Sequence, residues 1–284
     1  MRGEELREIA LHYLGDDGPR VERVPEWSAT TDRSETLRIM SYNIQSCRGM
    51  DGKVRPERIA RIINAFDPDV VAVQEVDAHR LSSGSQDQAH LIAEHLRMEH
   101  VFLTRLDREE EGYSIAVFSK HPFEQLQTGF LTPARERREG RGAICLRIRP
   151  EGRQPFILIN THFGLRKGER REQADMLLSK KWLAGLPENE PLILCGDFNS
   201  LPGSKIYHRL QQPLQDIWKR LDHLRPRAGF PSVLPCMRLD HIFLSPHFIV
   251  HDVSVPQTFT SRVASDHLPL CAELELPANE RKKD

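Results

Sequence analysis

The chain has 284 residues, 39% apolar and 29% charged, with 40 Lys and Arg against 41 Asp and Glu. The apolar content is enough for a substantial core, and a formal net charge of −1 excludes a global positive field that would draw in polyanions. Any anion binding has to come from a local patch. The cysteines Cys47, Cys145, Cys195, Cys236 and Cys271 form no C-x-x-C pair, which argues against a zinc ribbon. Several lie in apolar stretches and read as buried free thiols of a reducing compartment. The opening Met1-Arg2-Gly3-Glu4-Glu5 lacks the apolar run of a secretory signal. No apolar stretch approaches the ~20 residues of a spanning helix, so the expected location is the cytoplasm.

In chain order, residues 1–36 read as an appendage: Leu6, Ile9, Tyr13 and Leu14 recur at helical spacing before Gly15-Asp16-Asp17-Gly18-Pro19 breaks the pattern. The main domain is expected over 37–277, with a polar tail at 278–284. Leu37 to Ile44 reads as a strand. Pro56 to Phe66 reads as a helix, with Pro56 in its first turn and Ile59, Ile62, Ile63 and Phe66 on one stripe; Asp67-Pro68 ends it. Val70 to Val73 is a buried-strand run, and a helix follows over Gln88 to Met98. Further strands are expected at Ile115–Phe118, Ala143–Arg149, Phe156–Asn160, Leu192–Cys195, Leu239–Leu244 and Leu268–Leu276, and helices near Glu169–Leu183 and Lys205–Leu210. This interleaving is mixed α/β without internal repeats.

Several of these strands end in polar groups that a buried sheet does not need. They are Asn43, Gln74-Glu75, Asn160-Thr161-His162, Gly196-Asp197-Phe198-Asn199, Arg238-Leu239-Asp240, and Ser265-Asp266-His267 just before the last strand. Each alone reads as turn or capping chemistry. Together, at strand ends of an α/β sheet, they point to one cleft.

Ser41-Tyr42-Asn43-Ile44, Gln74-Glu75-Val76, Asn160-Thr161-His162-Phe163, Gly196-Asp197-Phe198-Asn199, Arg238-Leu239-Asp240 and Ser265-Asp266-His267 resemble, in order, the motif set of the endonuclease/exonuclease/phosphatase superfamily. The resemblance spans Leu37 to Leu276. It implies a four-layer α/β sandwich with two packed mixed β-sheets, the deoxyribonuclease I-like fold, and a metal-dependent phosphoester hydrolase. The histidine at 162 sets the chain apart from the abasic-site members. One departure stands out: Tyr113-Ser114-Ile115-Ala116 occupies the place of a Tyr-Gly-Asn-Ala motif, so Tyr113 stays outside the expected catalytic set.

The resemblance implies roles. Asn43, Glu75 and Asp266 are the expected metal ligands, hard oxygen donors suited to Mg²⁺ and also to Mn²⁺. His267 is the candidate general base, oriented by Asp240. Asp197 and Asn199 are expected to orient the attacking water or bind a phosphoryl oxygen, and whether His267 or Asp197 takes the proton stays open. His162, as imidazolium, is expected to donate to the phosphate.

Two basic clusters flank these motifs. Arg135, Arg137, Arg138 and Arg141 are expected in a loop, either as a solvated face or as a phosphate-binding rim. Arg166, Lys167, Arg170 and Arg171 follow His162 closely, and Arg166, Arg170 and Arg171 are expected to bind substrate. The expected substrate is a nucleic-acid phosphodiester and the expected assembly a monomer. The alternatives are a lipid phosphodiesterase, an inositol-phosphate phosphatase, or a binding module that has lost catalysis.

Overall fold

The structure, a computed structural model, describes residues 36–77, 87–103, 114–132, 141–221 and 223–276. The expected appendage up to residue 35, the tail, Tyr113, Arg135, Arg137 and Arg138 lie outside the described residues. Thr36 belongs to the first strand rather than to the appendage.

Two six-stranded mixed sheets pack face to face. The first contains β1 (Thr36–Asn43), β2 (Val70–Gln74), β3 (Glu99–Leu103), β4 (Ile115–Ser119), β11 (Ile249–Ser254) and β12 (Leu270–Glu275), in the order β11-β12-β1-β2-β4-β3. The second contains β5 (Phe123–Phe130), β6 (Gly142–Ile148), β7 (Phe156–His162), β8 (Leu192–Asp197), β9 (Gln215–Asp216) and β10 (Asp240–Leu244), in the order β5-β6-β7-β8-β10-β9. Each sheet has one parallel pair, β1 with β2 and β7 with β8. The connections across these pairs contain α1 (Pro56–Phe66) and α3 (Lys167–Leu177).

Strand alternation sorts the apolar residues into layers. Ile39, Ala72, Val117, Leu146, Leu158, Cys195 and Ile242 face the space between the sheets. Met40, Tyr42, Val71 and Val73 face outward and pack with Ile59, Ile63 and Phe66 of α1 and with Ile92 of α2 (Gln88–Leu96). On the opposite side Ile157, Ile159, Leu194 and Phe243 pack with Ala174 and Leu177 of α3 and with Tyr207 and Leu210 of α4 (Lys205–Leu210). Helix, sheet, sheet and helix make the four layers. Among the described residues no helix is long and apolar enough to cross a membrane.

Three expectations need correction. The helix expected to reach Leu183 stops at Leu177. There the Ser179 hydroxyl donates to the Met176 carbonyl at 2.7 Å and turns the chain, the usual competition of a serine with helical hydrogen bonding. The expected Gln88–Met98 helix ends at Leu96, where Arg97 adopts φ 55° at the cap. Cys236 is exposed, whereas the other four cysteines are buried.

Candidate active site

The alternation that fills the inter-sheet space also builds the site. Following the inward-facing positions of β1, apolar Leu37 and Ile39 give way to Ser41 and Asn43. On β2, Val70 and Ala72 give way to Gln74; on β7, Phe156 and Leu158 give way to Asn160 and His162; on β8, Ile193 and Cys195 give way to Asp197. β10 runs antiparallel to β8, so its first residue, Asp240, lies opposite the last of β8, and His162, Asp197 and Asp240 share one row across three strands. Gly196 makes this close spacing possible: its φ is 142°, and a Cβ there would meet the Thr161 carbonyl oxygen at 1.9 Å.

Side-chain hydrogen bonds join the two sheets at this level. Gln74 Nε2 donates to Asn160 Oδ1 at 2.8 Å, and Asn160 Nδ2 donates to the carbonyls of Val73 and Ala116 at 3.0 and 2.9 Å. Above them Asn43 Nδ2 donates to Glu75 Oε1 and to Asp197 Oδ2, both at 3.1 Å. Asn43 Oδ1 accepts from the Gln45 amide at 3.1 Å. As seated, the Asn43 amide turns its N–H groups to the two carboxylates and spaces them.

His267 Nδ1 donates to Asp240 Oδ2 at 2.8 Å, and its Nε2 lies 3.8 Å from Asp197 Oδ2. The ring packs on Phe230, with centroids 4.7 Å apart. Burial alone would lower the His267 pKa, but the charge and hydrogen bond of Asp240, followed by the charges of Asp197 and Asp266, raise it to about 10. Burial alone would raise Asp197; the His162 hydrogen bond, and then the charge of His267, outweigh it and hold the carboxyl well below its ordinary range. Burial raises Asp240, only partly offset by His267. Along the row the shifts thus run in opposite directions, favouring the protonated ring at His267 and the carboxylate at Asp197.

Asp266 is raised to about 6, by burial first and then by the charges of Glu75 and Asp197, against the lowering effect of His267. Two hard carboxylates, Glu75 and Asp266, thus repel across the mouth of the site, and a divalent cation fits between such donors. Asp197, Asp240 and His267 also bring ligand atoms within 4.8 Å of one another, but His267 Nδ1 and Asp240 Oδ2 are already bonded to each other. Glu75 is the more accessible donor, its side chain 24% exposed.

The largest surprise is Arg141. Expected in a basic loop, it is 2% exposed, and its guanidinium donates to His162 Nδ1 at 2.6 Å. A guanidinium offers only protons, so Nδ1 accepts and the ring proton sits on Nε2, 3.4 Å from Asp197 Oδ2. Asn199, at φ 47°, has its side-chain amide 3.3 Å from His162 Nε2 and donates to the Phe163 carbonyl at 2.9 Å; its backbone N–H donates to Asp197 Oδ1 at 2.8 Å. The register explains the placement: Ala143 pairs with Thr161, so the residue just before β6 falls beside His162. Gln74 and Asn160 were expected in the cleft without an assigned role, and Phe230 was not expected there.

Of the expected substrate-binding cations, Arg166 and Arg171 are exposed, as is Lys167. Arg170 is turned back, donating to the carbonyls of Gly164 and Leu165.

The profile of the Endonuclease/Exonuclease/phosphatase family matches residues 40–267. The chain belongs to this family. It is therefore a phosphoester-hydrolysing enzyme. The uncharacterised protein YbhP of Escherichia coli is 30% identical over 225 residues, covering 75% of this chain and 86% of its own length. Two solved structures show the same fold. One is the mannosyl-6-phosphatase Bt3783 of Bacteroides thetaiotaomicron, with TM-score 0.65 and 24% identity, covering 84% of this chain and 99% of that one. The other is the human Nocturnin catalytic domain with bound sulfate, with TM-score 0.66 and 23% identity, covering 86% of this chain and 95% of that one.

Proposed function

We propose that this enzyme is a divalent-metal-dependent phosphodiesterase in which Asp197 orients the attacking water and takes its proton, while His267 serves as an imidazolium. The observation that carries this reading is the row Asp240–His267–Asp197, with contacts of 2.8 and 3.8 Å and opposite pKa shifts, His267 upward and Asp197 downward. A histidine held protonated has no lone pair at Nε2 to accept a proton, but it is a strong donor toward charge developing on a phosphoryl oxygen. Asp197, held as a carboxylate, is the available acceptor. Asp240 accepts from Nδ1 and fixes the ring so that Nε2–H faces the cleft. His162 and Asn199 position Asp197, the first through Nε2–H and the second through its backbone amide.

Glu75 and Asp266 would hold Mg²⁺ or Mn²⁺, which supplies charge neutralisation on the phosphoryl group when bound. A nucleic-acid substrate draws support from Arg166 and Arg171, which are exposed just beyond His162, and from the resemblance in fold to ANGEL2, a 2',3'-cyclic phosphatase solved with adenosine-2',3'-vanadate. Those two cations would serve a lipid headgroup as readily.

The test is a metal-dependent screen on DNA, RNA, phospholipid and inositol phosphate run side by side with a soluble aryl phosphodiester. Activity is expected to vanish in excess chelator, to return with Mg²⁺ or Mn²⁺, and to be lost in Asp197→Ala and His267→Ala. Full turnover in chelator would overturn the proposal.

A further inference from the structure

Six large hydrophobic side chains stand exposed among the described residues: Phe130, Leu165, Leu201, Leu234, Ile249 and Phe259. Scattered single exposures are ordinary on any surface. Here, however, five of the six belong to the end of the molecule that holds the site. Leu165, 69% exposed, is three residues beyond His162. Leu201 is two beyond Asn199. Phe130 pairs with Gly142, next to Arg141. Phe259 opens α5 (Phe259–Ala264), the helix that delivers Ser265, Asp266 and His267. Leu234 lies in the loop containing Phe230, which packs on His267. That loop is tied to the same place: the Ser232 amide donates to the Asp266 carbonyl at 2.7 Å, and Arg262 donates to the Val233 carbonyl at 2.8 Å. Only Ile249 stands at the far end, opposite Glu275.

We propose that this apolar rim, with the exposed Arg166 and Arg171 beside Leu165, seats the enzyme on an anionic phospholipid surface and presents headgroup phosphodiesters to the site. The inference rests on the phosphodiesterase reading above. Charge and side-chain chemistry favour this occupant. Three of the five, Leu165, Leu201 and Leu234, are aliphatic and have no π-face on which a base could stack; together with Phe130 and Phe259 they partition into the headgroup and acyl boundary of a bilayer. The arginines next to them match a negatively charged headgroup layer. In the sequence these apolar residues are single and far apart, so no insertion or amphipathic helix announces them; the fold brings them to one end.

The test uses the full-length chain and sedimentation with vesicles of phosphatidylcholine alone or mixed with phosphatidylglycerol, alongside hydrolysis of a soluble aryl phosphodiester. The parent is expected to bind the anionic vesicles and to bind phosphatidylcholine alone at least about ten-fold more weakly. The variant Leu165→Ser/Leu234→Ser/Phe259→Ser is expected to lose about ten-fold in anionic-vesicle binding while hydrolysing the soluble diester as the parent does, with an unchanged thermal melt. Absence of parent binding to anionic vesicles, or equal binding by parent and variant, overturns the proposal. Single-stranded DNA or RNA binding in place of vesicles would also overturn it and assign the rim to a polynucleotide. Vesicle binding without any diester hydrolysis by the parent would leave the surface standing and remove the phosphodiesterase reading instead.

Discussion

Replacing Asp240 by asparagine separates charge from shape at the centre of the site. The side chain stays nearly isosteric and its carbonyl oxygen can still accept from His267 Nδ1, now 2.8 Å away. The carboxylate charge, however, is gone. His267 stands at about 10 against an ordinary 6.5, a difference of about 3.5 units, or about 5 kcal/mol of imidazolium stabilisation at ~1.4 kcal/mol per unit. Burial opposes this shift, and Asp240 is the largest of the acids that overcome it, ahead of Asp197 and Asp266. Removing the Asp240 charge should therefore lower His267 more than removing any other single acid. The assay is an NMR titration of the His267 ring in parent and variant, with kcat measured across the same pH range. In Asp240→Asn the ring is expected to lose its proton at lower pH than in the parent, and the alkaline limb of the rate profile should move down with it. At neutral pH the loss of rate should be on the order of 10²-fold or more, the scale of a removed proton-transfer or donor group. A His267 ring that titrates at the same pH in both proteins would refute the assignment, because the charge of Asp240 would then not be what holds the proton.

Three further outcomes are expected. Asp266 is raised to about 6 and can serve as a ligand only as a carboxylate, so the Mg²⁺ concentration for half-maximal activity should climb as pH falls through about 6, and added Mg²⁺ should push the acid limb to lower pH; an acid limb indifferent to Mg²⁺ would count against Asp266 as a ligand. Arg141→Met should slow turnover and redistribute the His162 ring proton between Nε2 and Nδ1, read from its ring nitrogen shifts, since Nδ1 would no longer face a guanidinium. Asp216 is buried and accepts from Tyr207, Arg238 and the Trp218 amide at 2.7, 2.7 and 2.9 Å; burial works against it, but His241 and Arg238 lower it to about 2. Its folded pKa is depressed, so its stabilisation is present above about 4 and is lost as pH falls through about 2; Asp216→Asn should cost about 2 kcal/mol or more at pH 7 by denaturant unfolding, with the deficit shrinking in acid.

The eight strands legible in the sequence are the central ones. β1, β2, β4, β6, β7, β8, β10 and β12 each have neighbours on both sides and read as apolar runs because both faces are covered. The strands without a sequence signal, β3, β5, β9 and β11, are the four sheet edges. Phe123–Phe130 keeps Glu124 and Gln125 exposed, and Ile249–Ser254 includes His251 and Asp252; edge strands of this composition resist further pairing and look like loops. The site was legible for a related reason. Polar residues on a strand otherwise committed to the core stand out, so Asn43, His162, Asp197 and Asp240 could be read from their neighbours. Arg141 could not, because it precedes its strand and sits among other arginines. Nor could the turned-back Arg170, whose partners are backbone carbonyls.

Backbone strain around Asn43 and Glu75 fits the same design. Gln45, Ser46 and Cys47 adopt φ of 48°, 52° and 58°, and Glu75 adopts 57°, none of them glycine. A left-handed conformation costs about 1–2 kcal/mol per such residue, so this cluster persists only if its surroundings over-determine it. They do: the Ile44 and Ser46 amides donate to the carbonyls of Gln74 and Glu75 at 3.0 and 2.8 Å, and Gln88 Nε2 donates to the Ser46 carbonyl at 2.8 Å. The same turn brings the Gln45 amide to Asn43 Oδ1, which fixes the amide with its N–H groups toward Glu75 and Asp197. Relaxing the turn would free Asn43 to rotate and let the two carboxylates drift relative to each other. The strain is thus coupled to the spacing of the acids, and that spacing must be set before substrate arrives if the site is to orient water and phosphate without reorganising.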